Sequence, residues 1–292
     1  MATRRSIAII GASGQLGSDL SLVCEERGHK TIRLNHTNIE VSNLNNVDNV
    51  LSASKPDIII NTAAFHNVNE CENDLKKAFS INSIGASHVA RVAKKINAKS
   101  IFISTDYVFA GEKDVRASYT EKEATHPINV YGISKLAGEG LVLMQDTNSL
   151  VVRVSSLFGE AGSKEKGGNF IDKILYKAQQ EDPLSIVNDQ WMTPTYTLDA
   201  AEAIIRLAEK NIKGVIHVTN PASCTWFDFA SMALNLYGLS SKIKPISYSS
   251  FKSDVQRPHN SSLATNRLRE ILGEPLRHWE NALKHYLQKK YY

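Results

Sequence analysis

The sequence predicts an α/β protein with a doubly wound parallel sheet of the Rossmann type and a smaller C-terminal lobe. Three observations support this fold class. Short apolar runs alternate with amphipathic stretches, which is the βαβ pattern of a parallel sheet. A glycine-rich turn follows the first apolar run directly. Beyond about Pro221 the pattern changes to amphipathic helices, over residues 227–236 and 281–287.

The apolar runs give the strands of the predicted sheet. The first, Ile7 to Ile10, has no polar face, which is typical of a parallel strand covered by helices on both sides. Further strands are predicted at residues 31–34, 57–61, 100–104, 150–154 and 214–218. We assign residues 1–160, completed by about 195–220, to a dinucleotide-binding domain. Residues of about 161–194 and 221–292 are assigned to a smaller substrate-binding lobe.

The glycine-rich turn has the spacing of a phosphate-binding loop. Gly11, Gly14 and Gly17 come immediately after the first strand and open a predicted helix. In such a turn the first glycine permits the bend, the second lets a pyrophosphate approach, and the third lets helix and strand pack closely. The helix N-terminus offers free N–H groups to the phosphates. The alternative is an ordinary glycine-rich β–α turn.

Composition excludes several classes of protein. With 292 residues, 42% of them hydrophobic and 22% charged, the chain can bury a sizeable core and is not disordered. The net charge of +4 is spread along the chain, without the basic tract of a nucleic-acid-binding protein. No segment has the length of a membrane span. Cys24, Cys71 and Cys224 fit no metal or disulfide pattern, so we expect reduced thiols and a cytoplasmic location.

Tyr131 and Lys135 are the best candidates for chemistry. Residues four apart share one face of a helix, so the hydroxyl and the ammonium can point into the same cleft. A nearby cation lowers a tyrosine pKa, which would make Tyr131 a tuned proton donor for carbonyl reduction. Thr105, at the end of a predicted strand, adds a hydroxyl that could bond the same carbonyl oxygen. The alternatives are a chance surface pair and a threonine that caps a turn.

Several motifs together resemble the extended short-chain dehydrogenase/reductase superfamily, and within it the dTDP-4-dehydrorhamnose reductase family. The resemblance covers nearly the whole chain. It is carried by residues 11–17, 61–64, 104–109 and 127–132 with Lys135, Gly138 and Glu139, and by residues 188–191, 194–195, 257–258 and 260–261. The Thr-Asp-Tyr-Val-Phe, Asn-Asp-Gln and Arg-Pro-x-Asn segments are the more specific to that family. Asn69 departs from it, standing where the family often has aspartate.

The resemblance implies an NAD(P)H-dependent reduction of the C4 keto group of a 4-keto-6-deoxy sugar on a nucleoside diphosphate. Tyr131, Lys135 and Thr105 are then catalytic, and Tyr131 and Lys135 also meet the cofactor. Other cofactor contacts are implied for Gly11, Ser13, Gly14, Gln15, Leu16, Gly17, Glu40, Val41, Ala63 and Ala64. Substrate contacts are implied for Thr105, Asp106, Tyr107, Asn188, Gln190, Trp191 and Arg257, with Arg257 on the diphosphate and Trp191 against the sugar or base.

The end of the second strand predicts the cofactor. NAD-specific folds place an acidic residue there for the ribose 2′-hydroxyl, whereas residues 32–36 contain none. Arg33 or His36 could instead attract a 2′-phosphate. We therefore expect NADPH, with NADH as the alternative.

Two other functions remain open at this stage. One is reduction, or epimerisation and reduction, of a different nucleotide sugar such as a UDP-linked one. The other is a non-catalytic regulatory subunit that keeps the fold and the cofactor. The expected partner is a nucleotide sugar rather than a nucleic acid or a membrane, and both a monomer and a homodimer fit the sequence. No carboxylate cluster assigns a metal site.

Overall fold

The computed structural model describes residues 4–115, 117–161, 168–239, 243–251 and 253–292. Its strands are β1 Ser6–Ile10, β2 Lys30–Leu34, β3 Ile58–Asn61, β4 Lys99–Thr105, β5 Leu150–Val154, β6 Leu157–Phe158, β7 Leu184–Val187, β8 Trp191–Met192, β9 Thr195–Tyr196, β10 Gly214–His217, β11 Cys224–Thr225 and β12 Ile243–Ile246. Its helices are α1 Gln15–Glu26, α2 Leu44–Ser54, α3 Val68–Asn73, α4 Leu75–Phe79, α5 Ala86–Lys95, α6 Val130–Gln145, α7 Phe170–Gln179, α8 Thr197–Glu209, α9 Trp226–Tyr237, α10 Asn266–Leu272 and α11 Trp279–Tyr291. A π-helical segment, Ser80–Gly85, joins α4 to α5.

A six-stranded parallel sheet forms the centre of the molecule. Its strand order is β10-β5-β4-β3-β1-β2. From β1 the chain moves outward to β2 and then returns to the other side of β1 to place β3. This reversal of direction lies between β1 and β3, and open α/β sheets bind ligands at the carboxyl ends of the strands beside such a point. The predicted doubly wound parallel sheet is confirmed.

Both faces of the sheet are covered by helices, which explains why its strands are continuously apolar. In β1, Ile7 and Ile9 pack into the core with α1 and α8, while Ala8 and Ile10 pack into the core on the opposite face with α2 and α5. Helix α6 lies beside α5 on that second face, against Phe102 and the middle of β5. Alternate residues of a strand therefore pack into the two cores on opposite faces of the sheet.

A second large core lies outside the sheet, among α7, α9 and α11. The chain enters it at Phe158, and it contains the aromatic side chains of Phe229, Trp279 and Tyr286. Three small two-stranded sheets flank this core or connect it to the main sheet: β7 with β12, β8 with β11, and β6 with β9. These contacts are consistent with a separate smaller lobe, whose limits as a domain stay a prediction.

The predicted strands of the main sheet agree with the structure to within one residue at each end. The two predicted C-terminal helices correspond to α9 and α11, and both extend beyond the predicted bounds. The three cysteines, Cys24, Cys71 and Cys224, are buried thiols. Within the part of the chain that the structure describes, no helix combines the length and apolar character needed to cross a membrane.

Candidate active site

Helix α6 places Tyr131 and Lys135 on one face because its first turn is fixed at the cap. The Asn129 side chain accepts a hydrogen bond from the Gly132 N–H at 2.8 Å and donates to the Gln256 carbonyl at 3.0 Å. Tyr131 lies in this capped turn, and Lys135 follows one turn later. The Lys135 ammonium donates to the Ile103 carbonyl at 2.6 Å. Helix α6 is therefore held at the carboxyl end of β4.

The carboxyl end of β4 supplies Thr105 and Asp106. Thr105 is the last residue of the strand, and its hydroxyl accepts the Tyr107 N–H at 3.2 Å, which caps the 3₁₀ turn formed by residues 106–108. The same hydroxyl lies 3.0 Å from Asp106 Oδ1 and is a hydrogen-bonding partner of the Tyr131 hydroxyl. The ring of Tyr107 meets the ring of Tyr131 edge-on, with centroids 6.0 Å apart. Thr105 therefore both caps the 3₁₀ turn and bonds to the Tyr131 hydroxyl.

Burial dominates the proton affinities of the two α6 side chains. Burial raises the pKa of Tyr131 well above its usual range, and the hydrogen bond with Thr105 is the main contact that lowers it. Burial lowers the pKa of Lys135 to about 7, against an opposing effect of the Glu139 carboxylate. The expected lowering of the Tyr131 pKa by Lys135 is therefore not the dominant effect here. Tyr131 keeps its proton at neutral pH.

A buried ion pair lies behind Lys135. The Glu139 carboxylate accepts from Arg153 Nε at 2.9 Å and Nη2 at 2.7 Å, and from the Ser104 hydroxyl at 2.5 Å. The two charged side chains are only 4% and 5% exposed. This two-pronged geometry is the strong form of a carboxylate–guanidinium contact. It joins α6 to β4 and β5 below the cleft.

The glycine-rich turn has the shape that a phosphate needs. Gly11 has a φ of +81°, and a Cβ there would lie 2.5 Å from the Thr62 hydroxyl. At Gly17 a Cβ would collide with the Gly11 carbonyl oxygen, so helix α1 could not approach β1 as closely. The first turn of α1 has no side-chain cap and no acidic residue. Its N–H groups are thus available to an anion.

One cleft of about 680 Å³ runs along the carboxyl ends of the strands. It brings together most of the residues selected from the sequence. Those that line it are Gly11, Ser13, Gly14, Gln15, Leu16, Gly17, Glu40, Val41, Ala63, Ala64, Thr105, Asp106, Tyr107, Tyr131 and Lys135. Arg33, Asn188, Gln190, Trp191 and Arg257 do not line it.

Arg33 is directed away from the cleft. It points toward α1 from the edge strand β2, and its guanidinium pairs with both Glu25 oxygens at 2.9 and 3.0 Å. The side chains that do reach the cleft from this region are Asn35 and His36, because they follow the end of the strand. In the structure Arg33 therefore lies outside the cleft, and His36 is the basic residue that lines it at this end.

The segment of residues 188–191 packs against the segment of residues 257–260. Gln190 is buried, with its amide 3.5 and 3.4 Å from the carbonyl oxygens of Arg257 and Pro258. The half-buried Trp191 donates its backbone N–H to the His259 carbonyl at 2.8 Å. Asn188 is exposed and continues the pairing of β7 with β12 through its N–H. Gln190 and Trp191 therefore support the Arg257 segment, whereas Asn188 bonds to the end of β12.

Arg257 lies beside the cleft rather than in it. Its guanidinium contacts Asn69 Oδ1 at 3.0 Å and the Ser253 hydroxyl at 2.5 Å, and it is a hydrogen-bonding partner of Tyr107, which does line the cleft. It also lines an adjacent open cavity of about 510 Å³ with Lys113, among others. Arg257 is thus one side chain away from the cleft.

Sequence reasoning missed the side of the cleft formed by the smaller lobe. Asn169, Phe170, Lys173 and Trp226 line it there, together with Phe229. Phe170 and Trp226 meet edge-on at 4.8 Å. The Asn169 cap and the aromatic at the start of α9 were visible in the sequence, but only the fold brings them opposite the glycine-rich turn. Among the described residues, no group of three or more His, Cys, Asp or Glu side chains is arranged to hold a metal ion.

The fold and the cleft define an oxidoreductase of the extended short-chain dehydrogenase/reductase class. A Rossmann sheet, a phosphate-binding turn and a Tyr-x-x-x-Lys pair share one cavity. Residues 5–292 match the family model described as the RmlD substrate binding domain. The chain belongs to this family, that of the dTDP-4-dehydrorhamnose reductases.

Individual relatives agree over almost the full length. The chain is 35% identical over 284 residues to the spore coat polysaccharide biosynthesis protein SpsK of Bacillus subtilis, covering 97% of each chain. It is 32% identical to a dTDP-4-dehydrorhamnose reductase of Aggregatibacter actinomycetemcomitans, covering 95% of this chain and 97% of the relative. The crystal structure of dTDP-4-dehydrorhamnose reductase from Bacillus anthracis in complex with NADP superposes with a TM-score of 0.92 at 32% identity, covering 98% and 100%.

Proposed function

We propose that this protein uses NADPH to reduce the C4 keto group of a 4-keto-6-deoxy sugar carried on dTDP. The observation that carries the proposal is the convergence of Tyr131, Lys135 and Thr105 in one cleft with the phosphate-binding turn. The relatives that bear the name dTDP-4-dehydrorhamnose reductase supply the substrate class. The complete set of hydroxyls and cation favours an enzyme over a regulatory subunit.

The residues present fit NADPH. The uncapped N-terminus of α1 and the open glycine turn suit its pyrophosphate, and Asn35 and His36 follow β2 where a 2′-phosphate would lie. Glu40, whose carboxylate is held by the Ser42 hydroxyl at 2.7 Å, and Val41 lie further along the same wall. The related B. anthracis structure contains NADP. When bound, the cofactor supplies the hydride.

Tyr131 is the proton donor in this proposal. Reduction builds negative charge on the sugar C4 oxygen, and a tyrosine that is protonated at neutral pH can neutralise it by giving up its hydroxyl proton. In this proposal the positive charge of Lys135, which lines the same cleft one helical turn later, stabilises the tyrosinate that results. Thr105 holds the Tyr131 hydroxyl in place from β4. General acid catalysis of this kind contributes about 10²–10⁴-fold to the rate.

Arg257 is the proposed partner of the substrate diphosphate. Its contacts are with neutral groups, the Asn69 amide, the Ser253 hydroxyl and Tyr107, so its positive charge is not cancelled by them. A guanidinium can bond two phosphate oxygens at once, which suits a diphosphate.

The direct test is NADPH oxidation by the purified protein, followed by absorbance. We expect turnover with a dTDP-linked 4-keto-6-deoxy sugar and a much lower kcat/KM with the UDP-linked sugar. No turnover with either would contradict the proposed function. A higher kcat/KM with the UDP-linked sugar would support a reductase whose substrate carries UDP instead of dTDP.

The diphosphate contact is tested with Arg257→Ala. Loss of one charge-assisted hydrogen bond costs about 1.5–3 kcal/mol, which corresponds to roughly tenfold or more in affinity. We expect KM for the nucleotide sugar to rise by that factor while the Kd of NADPH stays the same. Arg269→Ala, which removes an exposed positive charge from α10, is the control. An unchanged KM in Arg257→Ala would remove this residue from the substrate site.

A further inference from the structure

The Thr105 hydroxyl has three hydrogen-bonding partners and a single hydrogen to donate. Its oxygen accepts the Tyr107 N–H at 3.2 Å, lies 3.0 Å from Asp106 Oδ1, and is a hydrogen-bonding partner of Tyr131. A hydroxyl has one hydrogen and two lone pairs, whereas an ionised carboxylate only accepts. While Asp106 is ionised, the Thr105 hydrogen must therefore point at Asp106.

This orientation opposes the chemistry of reduction. With its hydrogen on Asp106 and one lone pair on the Tyr107 N–H, Thr105 can only accept from Tyr131. The sugar oxygen gains negative charge during reduction, and Tyr131 becomes negative after it gives up its proton. Both oxygens then need a donor. A protonated Asp106 reverses the bond, because its O–H donates to Thr105 and frees the Thr105 hydrogen.

We propose that Asp106 is a positioning residue that sets the direction of the Thr105 hydrogen bond, so that Thr105 donates to the sugar oxygen or to the Tyr131 oxygen when Asp106 carries a proton. The proposal rests on the reductase activity proposed above and adds to it a residue that acts through Thr105. It assigns to the Asp106 carboxyl a role in the rate of the chemical step, distinct from any contact with the sugar.

The surroundings of Asp106 suit a carboxyl that changes its protonation. The side chain is nearly fully buried, with 3% exposure, and hydroxyls surround it. Ser155 donates to Oδ2 at 2.9 Å, on the side opposite Thr105, and the Ser261 hydroxyl is a third partner. Burial raises the pKa of Asp106 to about 6 despite these hydrogen bonds. Both protonation states are therefore accessible near neutral pH.

The tyrosines nearest to Asp106 come from two elements. Tyr107 lies on the same 3₁₀ turn, and Tyr131 lies on α6; both are affected by the Asp106 charge. The charges of Arg257 and Tyr248 act on Tyr107 in turn. The cation in the cleft, Lys135, is coupled to Glu139. The Lys135 ammonium bonds to the Ile103 carbonyl, and the groups that bond to Asp106 are neutral hydroxyls. The pKa of Asp106 is therefore set by its burial and by its hydrogen bonds.

The direction of the bond can be measured without turnover. The carboxyl ¹³C resonance of Asp106, identified by its absence in Asp106→Asn, gives the pKa directly. Thr105→Val removes a donor to the ionised form, so we expect the pKa of Asp106 to rise by about one unit. Ser155→Ala, which removes the donor on the other oxygen, should raise it similarly, and Thr105→Ser should leave it unchanged. An unchanged or lowered pKa in Thr105→Val would overturn the proposal.

The effect on catalysis is measured as kcat against pH. In the wild type, kcat should rise as the pH is lowered and Asp106 becomes protonated. An asparagine amide can donate to Thr105 at every pH, so Asp106→Asn should lack this rise. Ser155→Ala should move this rise upward by about one pH unit. Protonation of Lys135 acts in the same direction, so the comparison among variants decides. A wild-type transition retained in Asp106→Asn, or a kcat in that variant far below wild type at every pH, would overturn the proposal.

The two measurements separate this inference from the proposed function. If no 4-keto nucleotide sugar were turned over by any variant, the reductase assignment would fail and with it the kinetic role. The carboxyl titration would still report whether Thr105 donates to Asp106. If the wild-type protein reduces the sugar but the Asp106 pKa is unaltered in Thr105→Val, the inference about Asp106 is refuted and the proposed function stands.

Discussion

Replacement of Glu139 by glutamine tests the buried ion pair beneath Lys135. The substitution preserves the size of the side chain and removes its charge. In the structure one carboxylate accepts both prongs of Arg153, at 2.9 and 2.7 Å, and the Ser104 hydroxyl at 2.5 Å. Glutamine can accept on one side only, so part of the guanidinium would remain buried against an amide N–H.

The expected loss of stability is large. Removal of one partner from a buried pair leaves an uncompensated charge and costs about 3–5 kcal/mol. That is a substantial part of the 5–15 kcal/mol, roughly, by which a domain is stable. We expect the free energy of unfolding in urea to fall by this amount. A double variant, Glu139→Gln with Arg153→Met, removes both charges and should recover part of the loss.

The same variant should alter Lys135. The Glu139 carboxylate is the group that opposes the lowering of the Lys135 pKa by burial, so its removal lowers that pKa further below about 7. If the charged form of Lys135 supports catalysis, activity will then be lost at a lower pH than in the wild type. A stability change below about 1 kcal/mol, or an unmoved pH profile in a folded variant, would refute this account of the pair.

Three further predictions concern other parts of the molecule. Tyr131→Phe should lower turnover by about 10²–10⁴-fold while the Kd of NADPH, measured by fluorescence, is unchanged; near wild-type turnover would contradict its role as the acid. Arg33→Ala should leave the ratio of kcat/KM for NADPH and NADH unaltered, because Arg33 pairs with Glu25 outside the cleft; a marked loss of NADPH preference would restore it to the cofactor site. His217 is buried beside Arg153, and burial lowers its pKa to about 3, so below about pH 6.5 the unfolded chain binds a proton that the folded protein does not. As the pH is lowered from about 6.5 to about 3, this residue should therefore reduce the free energy of unfolding by about 1.4 kcal/mol per pH unit. His217→Gln should lack that slope when urea melts are recorded at successive pH values.

The main sheet was predictable because its signal is local. A buried parallel strand is apolar on both faces, and β1 shows this as Ile7 and Ile9 on one side and Ala8 and Ile10 on the other. The glycine turn was equally readable, since the constraints at Gly11 and Gly17 are steric and lie within a few residues of the chain. The two-residue strands of the smaller lobe carry no such periodicity, so the sequence did not indicate them.

The site was predictable where strand ends and one helix define it. Arg33 shows the limit, since which face of an edge strand meets α1 depends on the register of β2, and a sequence pattern does not give that register. The contact of residues 188–191 with residues 257–260 joins segments almost 70 positions apart and was equally invisible. The single hydrogen of Thr105 illustrates a third limit, because competition among its partners appears only when their distances are known.

The interleaving of the two cores has a consequence for biosynthesis. The chain builds β1 to β5 first, enters the second core at Phe158, returns to add β10 beside β5, and completes the second core only with α11. During translation the outer edge of β5 therefore waits, unpaired, while some 60 residues are made, and exposed strand edges are sites of aggregation. Trp279, Leu283 and Tyr286 arrive last into a core whose other members have been exposed since Phe158. The second core of the nascent protein thus stays incompletely covered until α11 has been made.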